Sequence, residues 1–128
     1  MSDSLPELRE ALLKLHKALV DSERVSYEQT IGTIASPNHF LQLLTTDPWF
    51  AWLHPLSQLI VAMDEALDAK APLTPATAEA LRQQTRRLLV ASEAGEGFPK
   101  HYDDALQRDP DVVMAHAGVV KLLGPRRN

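Results

Sequence analysis

The segment from Asp47 to Ala69, DPWFAWLHPLSQLIVAMDEALDA, carries the pattern that decides the fold. Asp47 followed by Pro48 is a typical helix start, because aspartate caps free N–H groups and proline suits the first turn. Pro55 lacks an N–H group, so we expect a kink or broken turn near residues 51–55. Otherwise the spacing predicts one broad apolar face, and therefore a helix at the centre of a bundle. The apolar positions are Trp49, Trp52, Leu53, Leu56, Leu59, Ile60, Met63 and Leu67.

The rest of the chain also shows helical spacing, and no run of alternating polar and apolar residues predicts a strand. Four prolines directly follow a capping residue, and each pair predicts a helix start. The pairs are Ser36-Pro37, Asp47-Pro48, Thr74-Pro75 and Asp109-Pro110. The predicted helices span residues 5–29, 37–45, 48–69, 75–91, 98–107 and 110–123. The sequence thus predicts a single all-α domain over residues 1–128, an antiparallel four-helix-bundle-like fold with two additional short helices.

In the last predicted helix, the apolar residues are expected to face the core. They are Val112, Val113, Val119, Val120 and Leu123, together with His116.

Composition and charge limit the function classes. The chain has 128 residues, the length of one domain, and no cysteine, so disulfides and thiol chemistry are excluded. A net charge of −4 argues against binding to nucleic-acid phosphates, which needs a basic face. Residues 1–10 lack a signal-peptide pattern, and the uncharged run from Pro48 to Met63 is too short to span a membrane. These features predict a cytoplasmic protein without nucleic-acid or membrane partners.

A basic cluster on the fourth predicted helix is the exception to the acidic balance. It consists of Arg82, Arg86 and Arg87. We interpret it as a solvated outer face, with contact to an acidic partner or a phosphate as the alternative.

Three aromatic residues near the start of the central helix are the main candidates for partner binding: Trp49, Phe50 and Trp52. They either pack in the core or present an exposed anchor, since aromatic side chains dominate binding hot spots. Trp52 shares its face with apolar residues, so Trp52→Ala is expected to cost about 3–5 kcal/mol. Phe50 lies about 200° around the helix from that face. Unless the short second helix covers it, Phe50→Ala should cost less than about 1.5 kcal/mol.

The histidines are the candidates for a ligand or metal site in a helical bundle. Those considered are His16, His54, His101 and His116. The chain has no Glu-x-x-His or His-Glu-x-x-His motif, and no two histidines lie three or four residues apart. Nucleophile-elbow and phosphate-loop motifs are missing as well. We therefore expect no metal, no other cofactor and no catalytic residue.

Two stretches of the chain carry a resemblance. They are SPNHFLQLLTTDPWFAWLHPLSQLIVAMDEALD, residues 36–68, and GEGFPKHYDDALQRDPDVVMAH, residues 95–116. Together they resemble a family of small bacterial proteins of unknown function. The resemblance implies a bacterial, cytoplasmic, helical protein and supplies no activity, cofactor or catalytic residue.

The leading hypothesis from the sequence is a non-enzymatic protein-protein interaction module or a homo-oligomer, such as a dimer. Its contact surface would lie near Trp49, Phe50 and Trp52. The alternative is a small-ligand- or metal-binding helical bundle, with or without enzymatic activity, that uses buried histidines.

Overall fold

The structure, a computed structural model, describes residues 5–68, 72–92 and 96–124. Every regular element in these ranges is helical, which confirms the predicted all-α class. The elements are α1 (Leu5–Thr30), α2 (Pro37–Thr46), a 3-10 helix (Pro48–Leu53), α3 (His54–Asp68), α4 (Pro75–Leu88), α5 (Phe98–Arg108) and α6 (Pro110–Leu123).

The four predicted proline starts are all real helix starts. In each case the residue before the proline has extended backbone, and its side-chain oxygen accepts a hydrogen bond from an N–H in the first turn. The pairs are Ser36 Oγ with His39 N, Asp47 Oδ1 with Trp49 N, Thr74 Oγ1 with Thr77 N and Asp109 Oδ1 with Asp111 N, at 2.8–3.1 Å. These caps use N–H groups that have no partner inside the helix.

The expected break before Pro55 is also present. The chain runs as a 3-10 helix to Leu53 and becomes α-helical at His54. An α-helix through this point would leave the carbonyl of Ala51 without a donor, because Pro55 has no N–H group. Instead, the N–H of His54 donates to that carbonyl, the three-residue spacing of a 3-10 helix.

Helix α4 ends at Leu88, three residues before the predicted end at Ala91. Leu89 leaves the helix with φ −82° and ψ 54°, and the N–H of Val90 donates to the carbonyl of Leu88 at 2.8 Å. This geometry is an inverse γ-turn, which needs no glycine or proline and so gives no sequence signal.

The segment predicted to be central shares that position with α1. The 3-10 helix and α3 together pack against α1, α2, α4 and α5, whereas α1 packs against the 3-10 helix, α3, α5 and α6. Five leucines of α1 are almost completely buried: Leu5, Leu8, Leu12, Leu15 and Leu19. The apolar stripe of α1 therefore supplies one wall of the core from Leu5 to Leu19.

Polar contacts fix the direction of α1 against α3. Arg9 pairs with Asp64, and about two turns further along α1 the His16 ring nitrogen Nε2 lies 2.8 Å from Ser57 Oγ. Residue numbers rise along α1 while they fall along α3, so the two helices are antiparallel.

Candidate functional site

Phe50, a predicted partner-binding residue, is completely buried. Its ring lies 5.5 Å from that of Tyr27 in α1 and 5.7 Å from that of Phe40 in α2, measured between centroids. The 3-10 helix turns once every three residues, so Phe50 and Leu53 lie on the same side and both face inward. The structure therefore places Phe50 under the short second helix, and an exposed role for this side chain is wrong.

The two tryptophans also pack against other rings. Trp52 is buried, as predicted, and its indole stacks on the His101 ring with centroids 5.3 Å apart and planes 17° apart. Trp49 is partly buried and meets Tyr27 edge to face at 5.6 Å. Within the described residues neither buried indole N–H group finds an acceptor. The aromatic cluster therefore belongs mainly to the core, and Trp49 is the one predicted anchor that keeps part of its surface.

The predicted histidine ligands lie in separate places. His16 contacts Ser57, His54 Nε2 lies 3.2 Å from the carbonyl of Leu44, and His101 stacks on Trp52. His116 contacts Tyr102 instead. Among the residues that the structure describes, no three histidine, aspartate or glutamate side chains form a group able to hold a metal ion. The metal-binding alternative gains no support from these positions.

Tyr102 of α5 and His116 of α6 form a hydrogen bond between the two helices. The phenol oxygen lies 2.6 Å from His116 Nδ1. Burial raises the pKa of Tyr102, so the phenol keeps its proton and donates a hydrogen bond to Nδ1. The neutral imidazole then carries its own proton on Nε2. Burial also lowers the pKa of His116, which favours this neutral acceptor form.

Stability is expected to fall as the pH drops below about 6.5, because burial lowers the pKa of both His16 and His116 from that ordinary value. The unfolded chain takes up these protons first, so the stabilisation that the two histidines contribute is fully present above the unfolded pKa. It is lost as the pH falls through the folded pKa. Denaturant melts at about pH 7.5 and pH 5 measure the loss.

Glutamine at position 16 or 116 removes the titrating ring, so His16→Gln and His116→Gln should each flatten the pH dependence of stability. His54→Gln, at an exposed position, is the matched control for losing an imidazole. The assignment fails if His16→Gln and His116→Gln both keep the wild-type pH dependence.

The basic cluster of α4 is engaged within the chain. Glu79 lies 3.8 Å from an Arg82 nitrogen and 3.7 Å from an Arg86 nitrogen. Arg86 also donates to the carbonyl of Leu123 at the end of α6, and Arg87 Nε lies 3.4 Å from the carbonyl of Gln83. These contacts offset part of the positive charge, so they weaken the interpretation as a phosphate-binding surface.

Helix α6 differs most from its sequence prediction. Val112 and Val119 are completely buried, whereas Val113 and Val120, also predicted to face the core, are 44% and 46% exposed. Val112 and Val119 are two turns apart and therefore lie on the same side of the helix. Val113 and Val120 each come one residue later, so they are rotated by about 100° toward solvent. Met114, at 73% exposed, extends this outer apolar face. A helix with so few charged residues is usually buried all round.

An open groove of about 500 Å³ runs between α1 and the outer face of α6. Its apolar walls include Ala11, Met114, Ala115 and Leu122, with Gly118 between the last two. A Cβ atom built on Gly118 would meet no atom within 4 Å. Glycine in a helix interior costs roughly 0.5–1 kcal/mol relative to alanine, and here no packing within the described chain explains the choice.

Comparisons with known proteins do not assign this surface. No protein-family model, no curated protein and no solved structure gave a significant match to the chain. The resemblance to small bacterial proteins of unknown function therefore stays an expectation. Among the described residues, no helix combines the length and apolar character needed to cross a bilayer.

Sequence reasoning missed the outer face of α6 because five of the six inward assignments rested on apolar character alone. The signal that could have found it is Gly118, a helix-weakening residue in the middle of an otherwise regular apolar helix. The aromatic cluster, in contrast, drew attention as a site and turns out to be packed in the core.

Proposed function

We propose that this protein is a non-enzymatic interaction module that self-associates through the outer face of α6. The carrying observation is the exposure of Met114 at 73%, together with that of Val113 and Val120, which are nearly half exposed. This surface takes the place of the predicted one near Trp49, Phe50 and Trp52, where only Trp49 keeps exposed area.

The chemical character of the surface supports an apolar contact. Of the 14 residues of α6, only Asp111 and Lys121 carry a full charge, and they lie near opposite ends. Exposed apolar patches rimmed by charged residues mark interaction sites more often than chance. Methionine suits such a surface, since its unbranched, polarisable side chain adapts to a partner.

The non-enzymatic part of the proposal rests on the missing nucleophile and phosphate-binding motifs and on the scattered histidines. His16 and Ser57 are within hydrogen-bond distance, and this contact joins α1 to α3. Such a pair needs a third group that orients the imidazole before it can activate a serine. In the described part of the chain, the His16 ring makes no hydrogen bond besides the one to Ser57.

Met114→Glu is expected to weaken self-association at least tenfold, a loss of about 1.4 kcal/mol, because a buried carboxylate would lack a partner at the contact. Sedimentation equilibrium over a range of concentrations gives the dissociation constants of the wild-type protein and the variant. Circular dichroism checks that the helices persist.

Val61→Glu is the matched control. Val61 lies on α3, is 52% exposed and receives the same charge. Its dissociation constant should equal that of the wild-type protein. If the two glutamate variants behave alike, the outer face of α6 is not the contact surface.

We also propose that α1, α3, α4 and α6 form one antiparallel four-helix-bundle-like domain. The antiparallel pairing of α1 with α3 and the packing of α3 on α4 support this arrangement. A chain without cysteine fits a reducing compartment, and a bacterial cytoplasm remains the proposed location.

A further inference from the structure

Four residues of α6 form a straight stripe on its outer face: Asp111, Met114, Gly118 and Lys121. Their spacings of three, four and three are those of the contact seam between paired helices. All four are exposed, so the stripe is free along its whole length in the isolated chain. We call these four residues the α6 seam.

The charges at the two ends of the α6 seam select the partner. A second copy that runs antiparallel would place its Lys121 opposite Asp111, and its Asp111 opposite Lys121. A parallel copy would instead place like charges opposite each other at both ends. Antiparallel pairing also sets the helix dipoles in the favourable direction. Rim charges of this kind fix orientation more than affinity.

The same register brings Met114 opposite Gly118 of the other copy. Met114 lies three residues after Asp111, and Gly118 lies three residues before Lys121. Placing Asp111 opposite Lys121 of the other copy therefore also places Met114 opposite Gly118. Gly118 presents no side chain, and a long side chain from a partner can approach the backbone there. The groove beside Gly118 offers apolar walls from Ala11, Ala115 and Leu122. Its charged lining comes from α1 and consists of Glu7, Glu10 and Lys14.

We propose that two copies of this chain pair their α6 helices antiparallel about a two-fold axis, with Met114 of each copy seated beside Gly118 of the other. This inference rests on the proposed self-association and adds its register and receiving site. An interface of this type is isologous, because the same patch serves both copies and closes the assembly at a dimer.

Single-cysteine variants test the register, since the natural chain contains no cysteine. Met114→Cys and Gly118→Cys are mixed in equal amounts under a mild oxidant, and mass spectrometry separates the mixed disulfide from the two self-disulfides. Antiparallel pairing predicts that the mixed disulfide predominates, because only opposed Cα atoms within about 7 Å can be bridged. Val61→Cys, on the exposed surface of α3, measures chance collision.

Each outcome of the cross-linking experiment decides the register. Predominant self-disulfides would indicate parallel pairing and overturn the inference. The inference would also be overturned if the cross-linking rates are no faster than that of Val61→Cys although sedimentation shows that the protein associates. The proposed function would then still stand. If the wild-type protein stays monomeric at every concentration, the proposed function and this inference fail together.

A variant at Gly118 tests the receiving site separately. Gly118→Gln is expected to weaken self-association at least tenfold, because its side chain fills the space that Met114 of the other copy would occupy. The isolated chain tolerates the change, since a Cβ atom at this position meets no atom within 4 Å. An unchanged dissociation constant in a folded variant would overturn the seating of Met114 at this position.

Discussion

Replacing Phe50 by alanine is expected to lower the free energy of unfolding by about 3–5 kcal/mol, the usual range for a fully buried phenylalanine. The ring is completely buried and touches the rings of Tyr27 and Phe40. Its loss would open a cavity where α2 joins the rest of the core. The variant therefore loses the free energy gained by burying the ring and also leaves unfilled space. The effect should match that of Trp52→Ala.

Denaturant melts of Phe50→Ala, Phe50→Leu and Val61→Ala measure the effect. Leucine keeps most of the apolar volume and should lose less than alanine, while Val61 is half exposed and should be nearly neutral. Hydrogen exchange should also show faster opening of α2, because none of its residues is fully buried and it depends on this contact. A cost below about 1.5 kcal/mol for Phe50→Ala would contradict the packing described here.

Replacing Arg108 by methionine is expected to cost about 2–3 kcal/mol. Arg108 reaches from the end of α5 to α1, where its guanidinium lies 3.0 Å from Glu23 Oε1 and 3.0–3.1 Å from Ser22 Oγ. Glu23 is only 6% exposed, so the variant would leave a buried carboxylate without its cation. Arg108 itself is partly exposed, and water then offsets some of the loss.

A double-mutant cycle isolates this contact. Glu23→Gln removes the buried charge, so the combination Glu23→Gln with Arg108→Met should cost less than the sum of the single changes. Additive costs would show that the ion pair contributes nothing beyond the separate side chains.

Local signals predicted most of the fold. The four cap-proline pairs fix helix starts through hydrogen bonds between neighbouring residues, and Pro55 fixes the break through a missing N–H group. The end of α4 at Leu88 could not be predicted, because an inverse γ-turn at Leu89 requires no special residue type.

The burial of Phe50 depended on two facts that periodicity does not supply. The segment is a 3-10 helix, which changes the rotation between residues, and α2 folds over it. In the same way, the outer face of α6 depended on which side α1 covers. Val112 and Val113 are chemically alike, so only the tertiary contact decides which of them is buried.

The weight-average molar mass of the wild-type protein, measured by sedimentation equilibrium against concentration, tests self-association most directly. We predict that the mass rises from 14.2 kDa toward twice that value as the concentration increases, and then stops rising because the two-fold contact is closed. A mass that stays at 14.2 kDa at every concentration would contradict the account.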